Sequence, residues 1–108
     1  MKLLEEGYSQ IYRNDYNLTE QVHRIIHKFE PQLAKKDLEI RFHSEHDFYV
    51  FADKERIEQV FINLLQNAVQ FSKKSSPIDI TLTKEGQYVK VKIQDYGEGI
   101  AEDHLQLI

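Results

Sequence analysis

Two short polar motifs in this chain carry residue types suited to holding a phosphorylated ligand. The first occupies residues 63–68 with the sequence NLLQNA, and the second occupies residues 95–100 with the sequence DYGEGI. An amide oxygen can ligate a hard cation such as Mg²⁺, while an amide NH₂ group donates to phosphate oxygens. A carboxylate can accept a hydrogen bond from a base amine, and glycines let a flat ring approach the backbone. The motifs therefore predict a shared site, provided that the fold brings them together.

The first motif falls on a helix that is predicted from about Lys54 to Phe71. Apolar residues recur there with helical spacing, and they are Ile57, Val60, Phe61, Leu64, Leu65 and Ala68. A polar edge runs beside this stripe at about 100° per residue, and it contains Arg56, Gln59, Asn63, Asn67 and Gln70. Asn63 and Asn67 are therefore neighbours one turn apart. This edge suits metal and phosphate binding, and it equally suits a helix edge that is solvated or hydrogen-bonded to a loop.

The second motif follows a predicted hairpin. Apolar and polar residues alternate in residues 78–83 and again in residues 89–93, with a turn at residues 84–87 between them. Asp95 has the parity of the apolar residues, so its carboxylate is predicted to point inward, where an unpaired charge costs several kcal/mol. The exocyclic amine of an adenine ring would supply a donor. Ile100 would pack on the ring, and Gly97 and Gly99 would let the ring approach the backbone. Alternatively, the aspartate caps the glycine-rich turn.

The remaining elements predict an α/β fold. Helical spacing begins after Asn17 or Thr19 as N-cap, and Pro31 predicts a kink or an early end. Alternation predicts one strand over residues 38–42 and another over residues 48–52. The order helix, two strands, helix, hairpin is typical of a two-layer α/β sandwich with helices on one sheet face. Residues 1–15 are predicted to be a linker or the end of a preceding helix, and residues 16–108 one domain.

Composition narrows the class of protein. A net charge of -4 and a pI near 5.7 argue against nucleic-acid binding, which usually needs a clustered basic face. The absence of cysteine excludes disulfides and thiolate metal sites. No apolar stretch approaches the roughly eighteen residues of a membrane span, and the acidic start does not suit a secretory signal. The chain is therefore expected to be soluble and cytoplasmic, although its parent protein can be membrane-anchored.

In this order, and separated by a hairpin, the motifs resemble the N box and first glycine box of sensor histidine kinases. Residues 53–72 look like the N box, residues 91–100 look like the glycine box, and the resemblance covers roughly residues 16–108. It implies the Bergerat ATP-binding fold with a mixed sheet, and an enzyme that moves the γ-phosphoryl of Mg-ATP onto a histidine. By this resemblance Asn63 is the Mg²⁺ ligand, Asn67 contacts metal or phosphate, and Asp95 reads adenine. The base pocket is shaped by Gly97, Gly99 and Ile100.

Three residues depart from the patterns of that superfamily. Gln70 stands where histidine kinases often have a phosphate-binding lysine, which predicts weaker phosphate affinity, and Phe71 replaces a common tyrosine. Gln59 stands where ATP-hydrolysing relatives carry a glutamate that activates water, and Glu58 is predicted to point to another face. Transfer to a protein nucleophile needs positioning and metal charge rather than an activated water. The pattern therefore favours a phosphotransfer enzyme.

The resemblance also implies segments and partners outside these 108 residues. The family's lid and second glycine motif would follow Ile108, so the fold is expected to be incomplete at the C-terminus and the chain alone inactive, with no catalytic residue of its own. The expected partners are ATP, a histidine-bearing dimerisation domain of the same kinase, and a response regulator, with a homodimeric parent. His23 and His27 are predicted to be a surface pair rather than half of a metal site.

Two other functions fit the motifs. The first is a non-catalytic module in which the fold serves dimerisation or regulation, which Gln70 favours. The second is an anti-sigma-type serine kinase, although such a kinase would normally carry the glutamate that Gln59 replaces.

Overall fold

A computed structural model of the chain describes residues 11–96 and the backbone of residues 101–107. Within those ranges it contains three helices and six strands. In chain order they are β1 (Asn14–Asn17), α1 (Leu18–Lys28), α2 (Glu30–Lys36), β2 (Glu39–Ser44), β3 (Tyr49–Ala52), α3 (Lys54–Phe71), β4 (Pro77–Glu85), β5 (Tyr88–Asp95) and β6 (Ala101–Leu107). The predicted helix that carries the asparagines and the predicted hairpin are both confirmed.

The main sheet has four strands in the order β2-β4-β5-β6 and is mixed, as predicted. β2 runs parallel to β4, and the other two pairings are antiparallel. A parallel pair needs a crossover connection, which is supplied here by β3 and α3. The β4–β5 turn is tight because Gly86 adopts a φ of 61°, in the left-handed region that favours glycine. This topology places the end of β5 beside the start of β4.

The helices cover one face of this sheet, which confirms the predicted two-layer α/β sandwich. α3 packs on β5 and α1 packs on α3. The apolar residues of β4 and β5 that face the helices are at most 3% exposed, and they are Ile78, Ile80, Leu82, Val89, Val91 and Ile93. They meet Phe61 and Leu65 of α3 in one hydrophobic core. Packing of α3 on β5 therefore fixes the position of Asp95, the first residue of the second motif, relative to the first motif.

The first helix begins and breaks where the sequence predicts. Asn17 is its N-cap, and the Asn17 side-chain oxygen accepts a hydrogen bond of 3.0 Å from the Glu20 backbone nitrogen. The helix stops at Phe29, and Pro31 lies in the first turn of α2, where a missing N–H group costs little. Both predictions about this segment are confirmed.

The third helix is held at both ends. Its N-cap is Asp53, whose carboxylate accepts a hydrogen bond of 3.3 Å from the Arg56 backbone nitrogen. After its last turn, the buried Ser72 hydroxyl donates to the Ala68 carbonyl at 2.6 Å. In the part of the chain that the structure describes, no helix combines the length and the apolar content that crossing a membrane would require.

The structure differs from the sequence prediction in three places. Val60 was predicted to be buried but is 39% exposed, because the sheet contacts the α3 face that carries Phe61 and Leu65. The predicted strand at residues 48–52 pairs with β1 in a separate two-stranded sheet. Neither β1 nor β6 was predicted: β1 begins within the segment expected to be a linker, and β6 follows the second motif.

Candidate functional site

The polar edge of α3 is accessible as the sequence predicts. Gln59, Asn63, Asn67 and Gln70 are all exposed. Among the described residues, none donates to or accepts from the side-chain amides of Asn63 and Asn67. The hydrogen-bonded loop that would explain this edge structurally is therefore not found in that part of the chain. The edge is open to solvent or to a ligand.

Arg56, the first residue of the predicted edge, has a different environment. Its Nε atom lies 3.3 Å from the Asp53 Oδ2 atom, so it pairs with the carboxylate that caps α3. The Tyr12 backbone nitrogen donates to the same Oδ2 atom at 2.9 Å. This bond from Tyr12, together with those from the first turn of the helix, outweighs partial desolvation and lowers the pKa of Asp53. The start of the edge is therefore a structural cap.

The C-terminal turn of α3 carries the other two predicted residues on that helix. Lys36 donates from its Nζ atom to the Val69 carbonyl at 2.8 Å and to the Gln70 carbonyl at 3.2 Å. A cation at this position satisfies the last carbonyls and complements the helix dipole. The Phe71 ring is 61% exposed. The Gln70 amide and the exposed Phe71 ring therefore belong to a helix end that Lys36 holds in place.

Asp95 lies where the strand parity predicts. It is the last residue of β5, it is 5% exposed, and its partner across the β4–β5 ladder is the fully buried Ile78. Because α3 packs on β5, the buried carboxylate and the asparagine edge belong to two elements in direct contact. Gly97, Gly99 and Ile100 lie outside the described residues, so their predicted roles stay predictions.

Sequence reasoning missed a polar cluster on the opposite face of the sheet. Arg41 of β2 donates to Asp79 of β4 from Nε at 2.8 Å and from Nη2 at 3.3 Å. The Tyr96 hydroxyl donates to the Asp79 Oδ2 atom at 2.6 Å. Partial burial opposes ionisation of Asp79, but the bonds from Tyr96 and Arg41 prevail and lower its pKa. In the sequence, Arg41 and Asp79 each alternate with apolar residues, which predicts that both face away from the core. They become neighbours only because β2 pairs with β4.

A second missed residue, Gln21, holds the start of α3. It is 1% exposed, its Nε2 atom donates to the Lys54 carbonyl at 2.9 Å, and its Oε1 atom accepts from the Tyr16 hydroxyl at 2.9 Å. Burial, followed by the nearby charges of Asp53 and Glu58, raises the pKa of Tyr16 to about 12. The hydroxyl is therefore a neutral donor at physiological pH. The sequence signal for this role was a glutamine at a position where the helical pattern favours an apolar residue.

Glu58 points away from the polar edge, as predicted. Its Oε2 atom lies 3.2 Å from the Nζ atom of Lys28 on α1, so the carboxylate joins two helices. Gln59 is the exposed residue one turn before Asn63. Neither side chain supplies a base beside the asparagines.

The histidines form no site in the described part of the chain. His23 and His27 are exposed, as predicted; the His23 ring packs edge-on to Phe42 at 4.8 Å, and the His27 Nδ1 atom lies 3.4 Å from Glu30 Oε2. Among the residues whose side chains the structure describes, no group of three or more histidine, cysteine or acidic side chains could hold a metal. A cavity of about 360 Å³ near His43 and Lys84 is lined by none of the predicted site residues.

Comparison with known proteins identifies relatives of this arrangement. A family model described as histidine kinase-, DNA gyrase B-, and HSP90-like ATPase matches residues 52–108, just over half of the chain. Adaptive-response sensory kinase SasA of Prochlorococcus marinus (strain AS9601) is 52% identical over 52 residues, which are 47% of this chain and 14% of that kinase. Sporulation kinase A of Bacillus subtilis (strain 168) is 34% identical over 93 residues, which are 85% of this chain and 15% of that kinase.

Solved structures of histidine kinase ThkA share the fold. The nucleotide-free catalytic domain has a TM-score of 0.78 and 31% identity, covering 83% of this chain and 62% of that one. ThkA in complex with the response regulator protein TrrA has a TM-score of 0.77 and 29% identity, covering 90% of this chain and 30% of that one. The chain thus spans only 14–15% of the length of the two curated relatives.

Proposed function

Because the chain belongs to the family of histidine kinase-, DNA gyrase B- and HSP90-like ATPases, we propose that it is part of the ATP-binding domain of a sensor histidine kinase. In its parent protein this domain would supply the γ-phosphoryl group of ATP to a histidine on a separate dimerisation domain. The 108 residues would contribute nucleotide binding, with no catalytic residue of their own.

One observation carries this proposal: the exposed asparagine edge of α3 and the buried carboxylate at the end of β5 lie on two elements packed against each other. The edge offers amide groups to charged parts of a ligand. The carboxylate offers an acceptor at the rim of an apolar core, an environment that suits a base. A nucleotide has both kinds of group, joined by a ribose. The presence of polar and apolar surroundings on packed elements therefore supports a nucleotide rather than a small inorganic anion.

Each predicted residue has a role in this proposal. Asp95 accepts a hydrogen bond from the exocyclic amine of adenine, and Asn67 and Gln70 donate their amide hydrogens to phosphate oxygens. The exposed Phe71 ring covers the ligand near the helix end. The backbone around Gly97 and Gly99 and the side chain of Ile100 shape the base pocket.

Mg²⁺ fits this donor set as a metal held mainly by the nucleotide. Mg²⁺ usually keeps several waters and takes few protein ligands beside substrate phosphates. A single exposed amide, Asn63, meets that requirement, and the described residues offer no acidic cage that would bind the ion alone. When bound, the ion would neutralise phosphate charge. Asn63 would orient it through the amide oxygen.

The surroundings of the polar edge of α3 also favour transfer of the γ-phosphoryl group over hydrolysis of ATP. Water activation needs a base within hydrogen-bond reach. Gln59 cannot accept a proton, and Glu58 is engaged by Lys28 at 3.2 Å. The bound γ-phosphate is therefore kept for a nucleophile brought by a partner. The complex of ThkA with TrrA supports a response regulator as the next partner. We also propose that this domain works in the cytoplasm and that its parent is a homodimer.

Calorimetric titration of the chain with Mg-ADP tests the proposal. We expect the wild type to bind, and Asn63→Ala and Asn67→Ala to weaken binding about tenfold or more, the typical loss of a charge-assisted hydrogen bond. Gln66→Ala is the matched control, because Gln66 is exposed on the same helix outside the polar edge. If Asn63 holds the metal, its substitution should matter less when EDTA removes Mg²⁺.

Two results would contradict the proposal. One is a wild type that does not bind Mg-ADP, and the other is binding that Asn63→Ala and Asn67→Ala leave unchanged. The alternative of a non-catalytic dimerisation or regulatory module is favoured by Gln70 in place of the usual lysine. Absence of nucleotide binding together with self-association in sedimentation experiments would support that alternative.

A further inference from the structure

The end of β5 carries Asp95, the residue whose orientation matters most to the proposed site. Asp95 is the last residue of β5 in register with β4, opposite Ile78, and also the last in register with β6, opposite Ala101. The preceding residue of β4 is Pro77, which has no N–H group to extend the ladder.

A hydrogen bond from the Tyr96 side chain, called the tie below, holds this end of β5. Tyr96 directly follows Asp95 and has the opposite parity, so its side chain lies on the sheet face away from the helices. There its hydroxyl donates to Asp79 at 2.6 Å. Asp79 sits in the middle of the sheet, opposite Gln94 of β5 and beside Arg41 of β2. The bond therefore joins the end of β5 to β4 within one register step of Asp95.

The acceptor of this tie is itself held in place. The Arg41 guanidinium binds both carboxylate oxygens of Asp79, at 2.8 and 3.3 Å. Such a two-point contact fixes the plane of the carboxylate. The bonds from Tyr96 and Arg41 also keep the pKa of Asp79 low, so the acceptor stays ionised at neutral pH. Three strands are thus joined through one carboxylate.

We propose that Tyr96 is a positioning residue for nucleotide recognition: its bond to Asp79 on one sheet face holds the Asp95 carboxylate toward the other face. Adjacent side chains of a strand point to opposite faces, so fixing one of them fixes the orientation of the next. Without this bond, the end of β5 is held less firmly, and the Asp95 carboxylate is less strictly confined to its inward position. Arg41 acts one step further away by orienting Asp79.

This inference rests on the proposed nucleotide function, but part of it can be measured without a ligand. Tyr96→Phe removes only the hydroxyl, and Tyr88→Phe removes the same atom from an exposed tyrosine at the other end of β5. Amide hydrogen exchange followed by NMR should accelerate about fivefold at residues 93–96 in Tyr96→Phe, the factor expected for one lost hydrogen bond. Tyr88→Phe should leave these amides unchanged. Unchanged exchange in Tyr96→Phe would overturn the inference.

The second measurement is base selectivity. If Asp95 reads the adenine amine, the wild type should prefer Mg-ADP to Mg-GDP, and Tyr96→Phe should lower that preference about fivefold. Simple destabilisation would reduce both affinities alike and leave the ratio unchanged. Asp79→Asn keeps an acceptor oxygen for Tyr96 and should preserve more selectivity than Asp79→Ala. A wild type that binds neither nucleotide refutes the proposed function, whereas a selective wild type with an equally selective Tyr96→Phe refutes only the role of Tyr96.

Discussion

The cap of the site helix gives a prediction whose size follows from the structure. Asp53 accepts hydrogen bonds from the Arg56 and Tyr12 backbone nitrogens at 3.3 and 2.9 Å, and it pairs with the Arg56 side chain. Loss of an N-cap side chain costs about 1 kcal/mol, and the exposed contacts add up to about 1 kcal/mol. We expect Asp53→Ala to lower the free energy of unfolding by about 2 kcal/mol in total.

Urea unfolding followed by circular dichroism measures this loss. With a slope of about 1.5 kcal/mol per molar for a chain of this size, the midpoint of Asp53→Ala should fall by about 1 M. Asp53→Asn is the matched control, since asparagine caps helices as well as aspartate does. It loses only the charge, and we expect less than half of the effect. The reasoning is refuted if Asp53→Ala unfolds at the wild-type midpoint or if Asp53→Asn is equally destabilised.

The pH dependence provides an internal check on the same residue. The pKa of Asp53 is lowered in the folded state, chiefly by the Tyr12 bond, from an ordinary value of 3.8. A lowered pKa of an acid stabilises the fold above its unfolded value, and this stability is lost as the pH falls through the folded value. The difference between wild type and Asp53→Asn should therefore be constant above pH 5 and shrink below the ordinary pKa.

Three further predictions concern the core, the half-buried Tyr16 and the phosphate end of the site. Leu65 is fully buried, so Leu65→Ala should lower the free energy of unfolding by about 3 kcal/mol in urea titrations, and a change below about 1 kcal/mol would contradict the packing described. The pKa of Tyr16 rises from 10.0 to about 12 on folding, so wild-type stability should fall as the pH rises between those values, and Tyr16→Phe should lack this decline. Gln70→Lys should bind Mg-ADP several-fold more tightly at low salt, and Gln66→Lys should show a smaller gain if the position, rather than charge alone, matters.

The spacing of apolar residues predicted those helices and strands that bury one face in the core. The α3 helix and the β4–β5 hairpin each bury one face of a regular pattern, and parity alone gave the inward position of Asp95. The break at Pro31 followed from local stereochemistry. These features depend on residues close together in the sequence.

Features that depend on distant partners were not predicted. β1 has the sequence NDYN, which has little strand propensity, and it forms a strand because it pairs with β3. The Arg41–Asp79–Tyr96 cluster requires the strand order β2-β4-β5, which alternation within one strand does not contain. Val60 was misassigned because the apolar stripe is wider than the surface that the sheet covers.

The proposed role of Asp95 in binding adenine is tested most directly by calorimetric titration of the wild type and Asp95→Asn with Mg-ADP. The wild type should bind, and Asp95→Asn should bind at least about tenfold more weakly, because an amide replaces the charged acceptor of the adenine amine. Circular dichroism must show that the variant is folded. A folded Asp95→Asn with wild-type affinity for Mg-ADP would contradict this role of Asp95.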